Sequence, residues 1–256
     1  MAETTAEKRL GFAKVPELTL LFWVLKIAAT TLGETAGDAV SMSMNLGYLV
    51  GTLIFGIVFL VAVSAQIKAR RFRPFLYWTT IVATTTVGTT LADFADRSLG
   101  IGYAGGAALL FACLMASLAI WRYALGSVSV ASVASPRSET FYWVTIMLSQ
   151  TLGTALGDWT ADSQGLGYLG GVVIFVALLA VVTVLYFLTR VSRTVLFWAA
   201  FILTRPLGAV VGDFLDKPRA SGGLALSRYS ASATLLVFML VCLMLFPQRP
   251  ARTAHG

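Results

Sequence analysis

Little in this sequence is charged: only 12% of its 256 residues are Asp, Glu, Lys or Arg, where soluble domains carry about a quarter. With 57% hydrophobic residues, that shortage excludes an ordinary soluble domain and points to the bilayer. Histidine and cysteine are nearly missing as well. The one His is His255, next to the C-terminus, and Cys113 and Cys242 both fall inside apolar stretches. A zinc or copper site built from these side chains is excluded, and the two Cys read as small buried hydrophobes rather than a disulfide. There is no Gly-rich phosphate loop, no His placed for general-base work and no cofactor motif, so neither an enzyme nor a resident cofactor is expected.

What is present comes in blocks of roughly 18–25 apolar residues, the length a helix needs to cross about 30 Å of hydrocarbon. Eight are expected, near 17–37, 46–67, 74–95, 101–123, 140–160, 165–189, 194–214 and 224–246. The net charge of +7 is distributed along this pattern. Lys8, Arg9, Lys14, Lys68, Arg70, Arg71, Arg73, Arg122, Arg137, Arg190, Arg193, Arg249 and Arg252 fall on one side. Arg97, Lys217, Arg219 and Arg228 fall on the other. The positive-inside rule then places both termini in the cytoplasm, and the basic charge faces anionic headgroups rather than nucleic acid. The expected organisation is a cytoplasmic tail (1–16), a first half (17–125), a cytoplasmic linker (126–139), a second half (140–248) and a C-terminal tail (249–256).

Inside the two halves one frame returns four times: Trp23 to Asp38, Trp78 to Asp93, Trp143 to Asp158 and Trp198 to Asp213. Copies 1 and 3 lie 120 residues apart, as do copies 2 and 4, so a two-helix unit was duplicated and the four-helix product duplicated again. Each unit has an even number of spans, so all copies enter the membrane the same way, as parallel repeats. The fold class expected is an all-α polytopic membrane protein of eight transmembrane helices, with the odd helices forming an inner ring.

This recurrence of Trp and Gly-x-x-x-Gly-Asp, with Ala92 replacing the second Gly in copy 2, resembles the bacterial membrane proteins described as tandem repeats of unknown function. The resemblance runs from about Glu17 to Phe246 and implies an eight-helix inner-membrane protein. It implies no particular activity. Glu34-Thr-Ala-Gly37-Asp38 also resembles the Glu-x-Gly-Asp motif of bacterial manganese exporters and Golgi cation/proton exchangers. It has one residue more between Glu and Gly, and no basic residue follows the Asp.

At 100° per residue, positions three, seven, eleven and fifteen after each Trp form one stripe. The stripes are Lys26, Thr30, Glu34 and Asp38; Ile81, Thr85, Thr89 and Asp93; Ile146, Gln150, Thr154 and Asp158; and Phe201, Arg205, Ala209 and Asp213. Beside them lie small-xxx-small pairs, Gly33/Gly37, Gly88/Ala92, Gly153/Gly157 and Gly208/Gly212, which let membrane helices approach closely. The four Trp read as anchors at the inner interface, and the Asp residues lie about 22 Å further out. Asp96, Asp162 and Asp216 would thicken that outer acidic layer.

Charges so deep in a span face an interior or water and commonly mark a pathway. The expected function is therefore a transporter or channel-like protein for a small cation, a divalent metal or proton-coupled, or for a polar solute. Glu34, Asp38, Asp93, Asp158, Asp213, Thr30, Thr89, Gln150 and Thr154 are the candidate ligands, with Lys26 and Arg205 tuning them. The alternatives are that the repeated Asp caps backbone N–H groups of the following segment, and that the whole protein is a membrane scaffold or sensor whose buried polar groups are structural.

Overall fold

The computed structural model describes residues 13–163 and 165–251, without the side chain of Ser163. Lys8, Arg9, Arg252 and His255 lie outside the described residues. The described chain is all-α. Its long helices are α1 (Leu20–Asp38), α2 (Gly47–Lys68), α3 (Pro74–Asp93), α4 (Tyr103–Leu125), α5 (Pro136–Asp158), α6 (Gly167–Leu188), α7 (Arg193–Asp216) and α8 (Arg228–Leu245). After the repeated Asp, α1, α3 and α5 each continue as a five-residue π-helical turn, whereas α7 stays α-helical to Asp216. Five helices, α2, α4, α6, α7 and α8, are long and apolar enough to cross a membrane.

The odd helices close a ring: α1 packs on α3 and α7, and α5 packs on α3 and α7. The even helices lie outside it, and each packs chiefly on the odd helix of the following repeat: α2 on α3, α4 on α5, α6 on α7, and α8 back on α1. Of the apolar stretch of α7, 67% is buried, against 11–22% for α2, α4, α6 and α8, which separates inner from outer helices.

The small residues explain why the ring can be so tight. A Cβ on Gly33 would overlap Thr85, one on Gly88 would sit 3.0 Å from the backbone of Gln150, one on Gly153 would overlap Arg205, and one on Gly208 would overlap Thr30. Each position-seven side chain thus lies over a position-ten Gly of a neighbouring odd helix, once per interface. The second glycine of each pair does not merely flank the stripe of its own helix; it lies under position eleven of the next. A Cβ on Gly37 would stand 3.0 Å from Thr89, one on Gly157 3.0 Å from the Ala209 methyl, and one on Gly212 2.7 Å from Glu34 Cβ. These three sites are not equally tight, as a uniform small-residue stripe would have them. Gly157 faces the smallest opposing side chain, Ala209, whereas Gly212 leaves no room for a methyl group beside Glu34.

The segment 126–139, expected as a linker, is part of the fold. Ser135 and Ser138 form a reciprocal capping box and Pro136 occupies the first turn, so α5 starts at Pro136 and takes in the linker's last four residues. Val130 and Val133 are buried, and Lys14 ties the segment down through its N–H to the Val133 carbonyl (3.0 Å) and its ammonium to Glu139 (2.6 Å). The described ends of both expected tails pair with one another: the Ala251 N–H donates to the Val15 carbonyl (2.8 Å) and the Glu17 N–H to that of Arg249 (2.9 Å).

Candidate functional site

Stacked layers of side chains fill the ring. At the end carrying both described termini lies an aromatic layer one residue before each Trp: Phe22, Tyr77, Tyr142 and Phe197. The Tyr77 and Tyr142 hydroxyls meet at 2.6 Å. The expected interface anchors belong to this layer rather than to a lipid interface. Trp78, Trp143 and Trp198 are buried, Trp23 is half-buried, and their rings meet Phe22, Tyr77, Tyr142 and Phe197 edge-on or tilted. The indole N–H groups of Trp78 and Trp198 donate to protein rather than to headgroups, to Gln248 Oε1 beyond α8 (3.4 Å) and to the Val128 carbonyl in the segment after α4 (2.9 Å). The aromatic residue preceding each Trp packs all four rings into one cluster, and the hydrophobicity of the cluster outweighs the indole's preference for headgroups.

The next three layers are closed. Lys26, Ile81, Ile146 and Phe201, then Thr30, Thr85, Gln150 and Arg205, then Glu34, Thr89, Thr154 and Ala209 are all between 0% and 3% exposed. Arg205 reaches from its own layer into the next: Nη1 and Nη2 donate to Glu34 Oε2 (3.0 Å each), and Nη2 also to the hydroxyls of Thr89 (2.6 Å) and Thr154. Thr89 donates to the same Glu34 oxygen at 3.2 Å. Three of the expected packing glycines border this layer: Gly212 backs the Glu34 stem, Gly37 backs Thr89 and Gly157 backs Ala209. Gly212 therefore positions a charged side chain as well as a helix.

Lys26 reaches from α1 to α5, with Nζ 3.4 Å from Gln150 Oε1 and 4.2 Å from the centre of the Phe201 ring. The contacts α1 to α5 and α7 to α3 join opposite members of the ring, so they run through its interior. Thr30 does not join this network; its hydroxyl donates to backbone carbonyls of Ile27, Lys26 and Thr204 (2.9–3.3 Å).

The fifth layer gathers the repeated Asp. Lys217 Nζ lies 2.6 Å from Asp38 and 3.0 Å from Asp213, and Arg97 lies 2.8 Å from Asp93 and 3.3 Å from Asp158. Arg228 adds contacts to Asp216 (2.6 Å) and Asp38 (3.7 Å). Where Asp38 and Asp93 precede the π turns they make no capping hydrogen bond. The partners of the repeated Asp are side-chain cations. For Lys217 and Arg97, burial alone would lower the pKa, but the carboxylates around each win and hold it above the ordinary value. Both stay charged throughout the neutral range.

In the sequence these two cations count only as outer-side charges. The signal that could have singled them out is spacing: each stands four residues after a repeated Asp, one helical turn on, in copies 2 and 4, and they are 120 residues apart. The consequence spans the molecule. Arg97 keeps Asp93 within its own half and holds Asp158 of the other; Lys217 keeps Asp213 and holds Asp38. Arg228 reaches Asp38 as well, so the first half lends one cation and the second lends two.

Comparison with known proteins agrees with this fourfold geometry. The family described as "Repeat of Unknown Function (DUF347)" matches residues 21–72, 76–126, 141–192 and 196–247, one match per two-helix copy. No curated protein and no solved structure matches the chain. With four consecutive copies filling most of its length, the chain belongs to the DUF347 repeat family.

Proposed function

We propose that this is a bacterial inner-membrane transporter for a small ion or polar solute, with all eight helices spanning, both termini cytoplasmic and the ring axis as the path. The odd helices that are too polar to span alone turn their polar stripes inward and present apolar flanks to the even helices, which removes the obstacle to insertion. Lys68, Arg70, Arg71, Arg73, Arg190 and Arg193 share the aromatic end, as cytoplasmic loops should. Cations, a divalent metal or the proton, are the first substrates to test, because the outer layer has more carboxylates than cations.

One observation carries the reading. The outer end is shut by three ion pairs that cross between the halves, Arg97 to Asp158 and both Lys217 and Arg228 to Asp38, while each cation keeps a partner at home. Parting the halves therefore strands no cation and bares the Asp38 and Asp158 carboxylates, whose cations all come from the opposite half, to a cation from the outer side; an outer gate in a rocking repeat protein would work this way. The closed layers beneath fit an occluded state.

The test uses Ala209→Cys in a Cys113→Ser, Cys242→Ser background, labelled in proteoliposomes by a membrane-impermeant thiol reagent. Position 209 is expected to be protected, and to become labelled when Arg97→Gln and Lys217→Gln are added. Metal or proton flux is expected to fall in Glu34→Gln and Asp38→Asn. Protection in every variant, with no flux in the parent, would instead favour a membrane scaffold, the reading to which the buried ion pairs also lend themselves.

A further inference from the structure

The middle of the ring has more donors than acceptors. The Glu34 side chain, its carboxylate at that depth, is engaged by Arg205 and Thr89. Lys26 is fully buried, and Glu34 lies eight residues further along the same helix, about 12 Å away. Among the described residues, the one hydrogen-bond acceptor of Lys26 is Gln150 Oε1, at a long 3.4 Å, and the centre of the Phe201 ring lies 4.2 Å from its ammonium. Gln150 Nε2 and Arg205 Nε are both buried with no acceptor among those residues. Both residues are fully inaccessible and sit in one layer, one turn beyond Lys26. With the Lys26 amine protonated, Lys26, Glu34 and Arg205 leave one positive charge in excess, which a buried site can hold only with a counter-charge.

Two unpartnered donor groups, an ammonium with a single long hydrogen bond and one excess charge ask for lone pairs and one negative charge. We propose that the ring binds a small monovalent anion between Lys26, Gln150 and Arg205, midway along the axis. A carboxylate supplied by the chain could have done this, but the equivalent positions are Ile81, Ile146, Thr85 and Thr30, which carry no charge. Gln150 suits the role because a half-turn of its amide presents N–H in place of the carbonyl at little cost. Phe201 closes the remaining side with a ring face that favours the ammonium and leaves the anion to the donors. Lys26 is also the axial charge nearest the basic loops, where anions collect. The site does not depend on anything being transported.

The purified full chain in detergent, exchanged into sodium gluconate, is titrated with sodium chloride, sodium bromide and potassium chloride at constant ionic strength while thermal unfolding is followed. Saturable stabilisation is expected from chloride and bromide, identical for sodium and potassium chloride. In Lys26→Gln, which removes a buried charge and should fold, the apparent Kd is expected to weaken at least about tenfold. Gln150→Leu gives a smaller loss. A shift that follows the cation, a shift equal in Lys26→Gln and the parent, or no shift because water satisfies the donors, would each overturn the proposal. Flux without an anion effect leaves the transport reading standing and removes this one; an anion effect without flux does the reverse.

Discussion

The outer layer and the middle layers of the ring are built from the same four helices by opposite rules. The outer layer repeats itself: four Asp, one per copy, and two cations 120 residues apart that each serve one Asp at home and one across the divide. The middle layers break the repeat. Lys26, Glu34, Gln150 and Arg205 each occur in one copy only, and they contact residues of other copies. A side chain kept in all copies belongs to closing the ring. One kept in a single copy has been placed by something that the pseudosymmetric scaffold alone does not require.

The largest effect should come from the middle. Arg205→Met strands Glu34, whose layer-mates Thr89, Thr154 and Ala209 carry no charge, and removing one partner of a buried pair costs about 3–5 kcal/mol. Glu34→Leu combined with Arg205→Met should recover most of that loss in detergent unfolding. A double variant as unstable as Arg205→Met alone would mean that the arginine is held by its threonines rather than by the pair. Next is the packing that carries Arg205. Gly153→Ala sets a methyl group against Arg205 and Pro206 and should cost about 1–3 kcal/mol. Gly88→Ala tests the equivalent interface where the opposing atoms are the backbone of Gln150, which cannot swing aside. It should cost at least as much; if it costs nothing, the ring is looser than its spacing indicates.

How much of this was legible beforehand follows the same division. The frame from Trp to Asp, the stripes and the small residues are local patterns with fixed spacing, so the number and kind of helices, and the residues that share a face, could be read from the chain. What could not be read were relations between copies. That α2 leans on α3, that Arg205 reaches past its own layer to Glu34, that Gly212 backs Glu34 and that the Trp rings pack inward all depend on which helices become neighbours. The segment 126–139 looked like a linker because Ser, Val and Ala carry no periodic signal. It is ordered by Lys14 and by the Ser135 cap, partners distant in sequence or invisible to composition.

The two outer cations sharpen the comparison from the other side. If the layer is truly twofold, Lys217→Gln and Arg97→Gln should loosen the same end in the same way. Their sizes should differ, because Lys217 is 11% exposed and Arg97 31%, so solvent screens the arginine more. About 2 kcal/mol for Lys217→Gln and under about 1 kcal/mol for Arg97→Gln are expected. The Lys217 pKa is raised in the folded protein, so its contribution is full below the ordinary lysine value. It is lost only as pH rises through the folded one. The difference between wild type and Lys217→Gln should therefore hold or grow from about pH 6 to 9, because the carboxylates around Lys217 only gain charge as pH rises; a fall across that range would show that the ammonium is not where the ion pairs hold it.

The smallest expected effect has the opposite sign. Asp96 stands in the π turn after α3, buried against Gly106 of α4, and neither of its oxygens has a hydrogen-bond partner among the described residues. Burial raises its pKa, and neighbouring Arg97 offsets only part of the shift. An acid whose folded pKa lies above its unfolded value binds its proton more tightly when folded. Its ionised form therefore weakens the fold at neutral pH, and the penalty is relieved as pH falls through the folded value. Asp96→Asn should raise the unfolding temperature slightly at about pH 7, and the gain should shrink towards about pH 4 as the wild-type carboxyl takes up its proton. Asp216 holds the corresponding place in the other half but is bonded to Arg228, so Asp216→Asn should destabilise instead. Opposite signs at two positions 120 residues apart would show that the halves share the outer ion pairs and differ in what surrounds them. Equal signs would mean that Arg228 contributes nothing and the outer layer is more symmetric than its ion pairs make it.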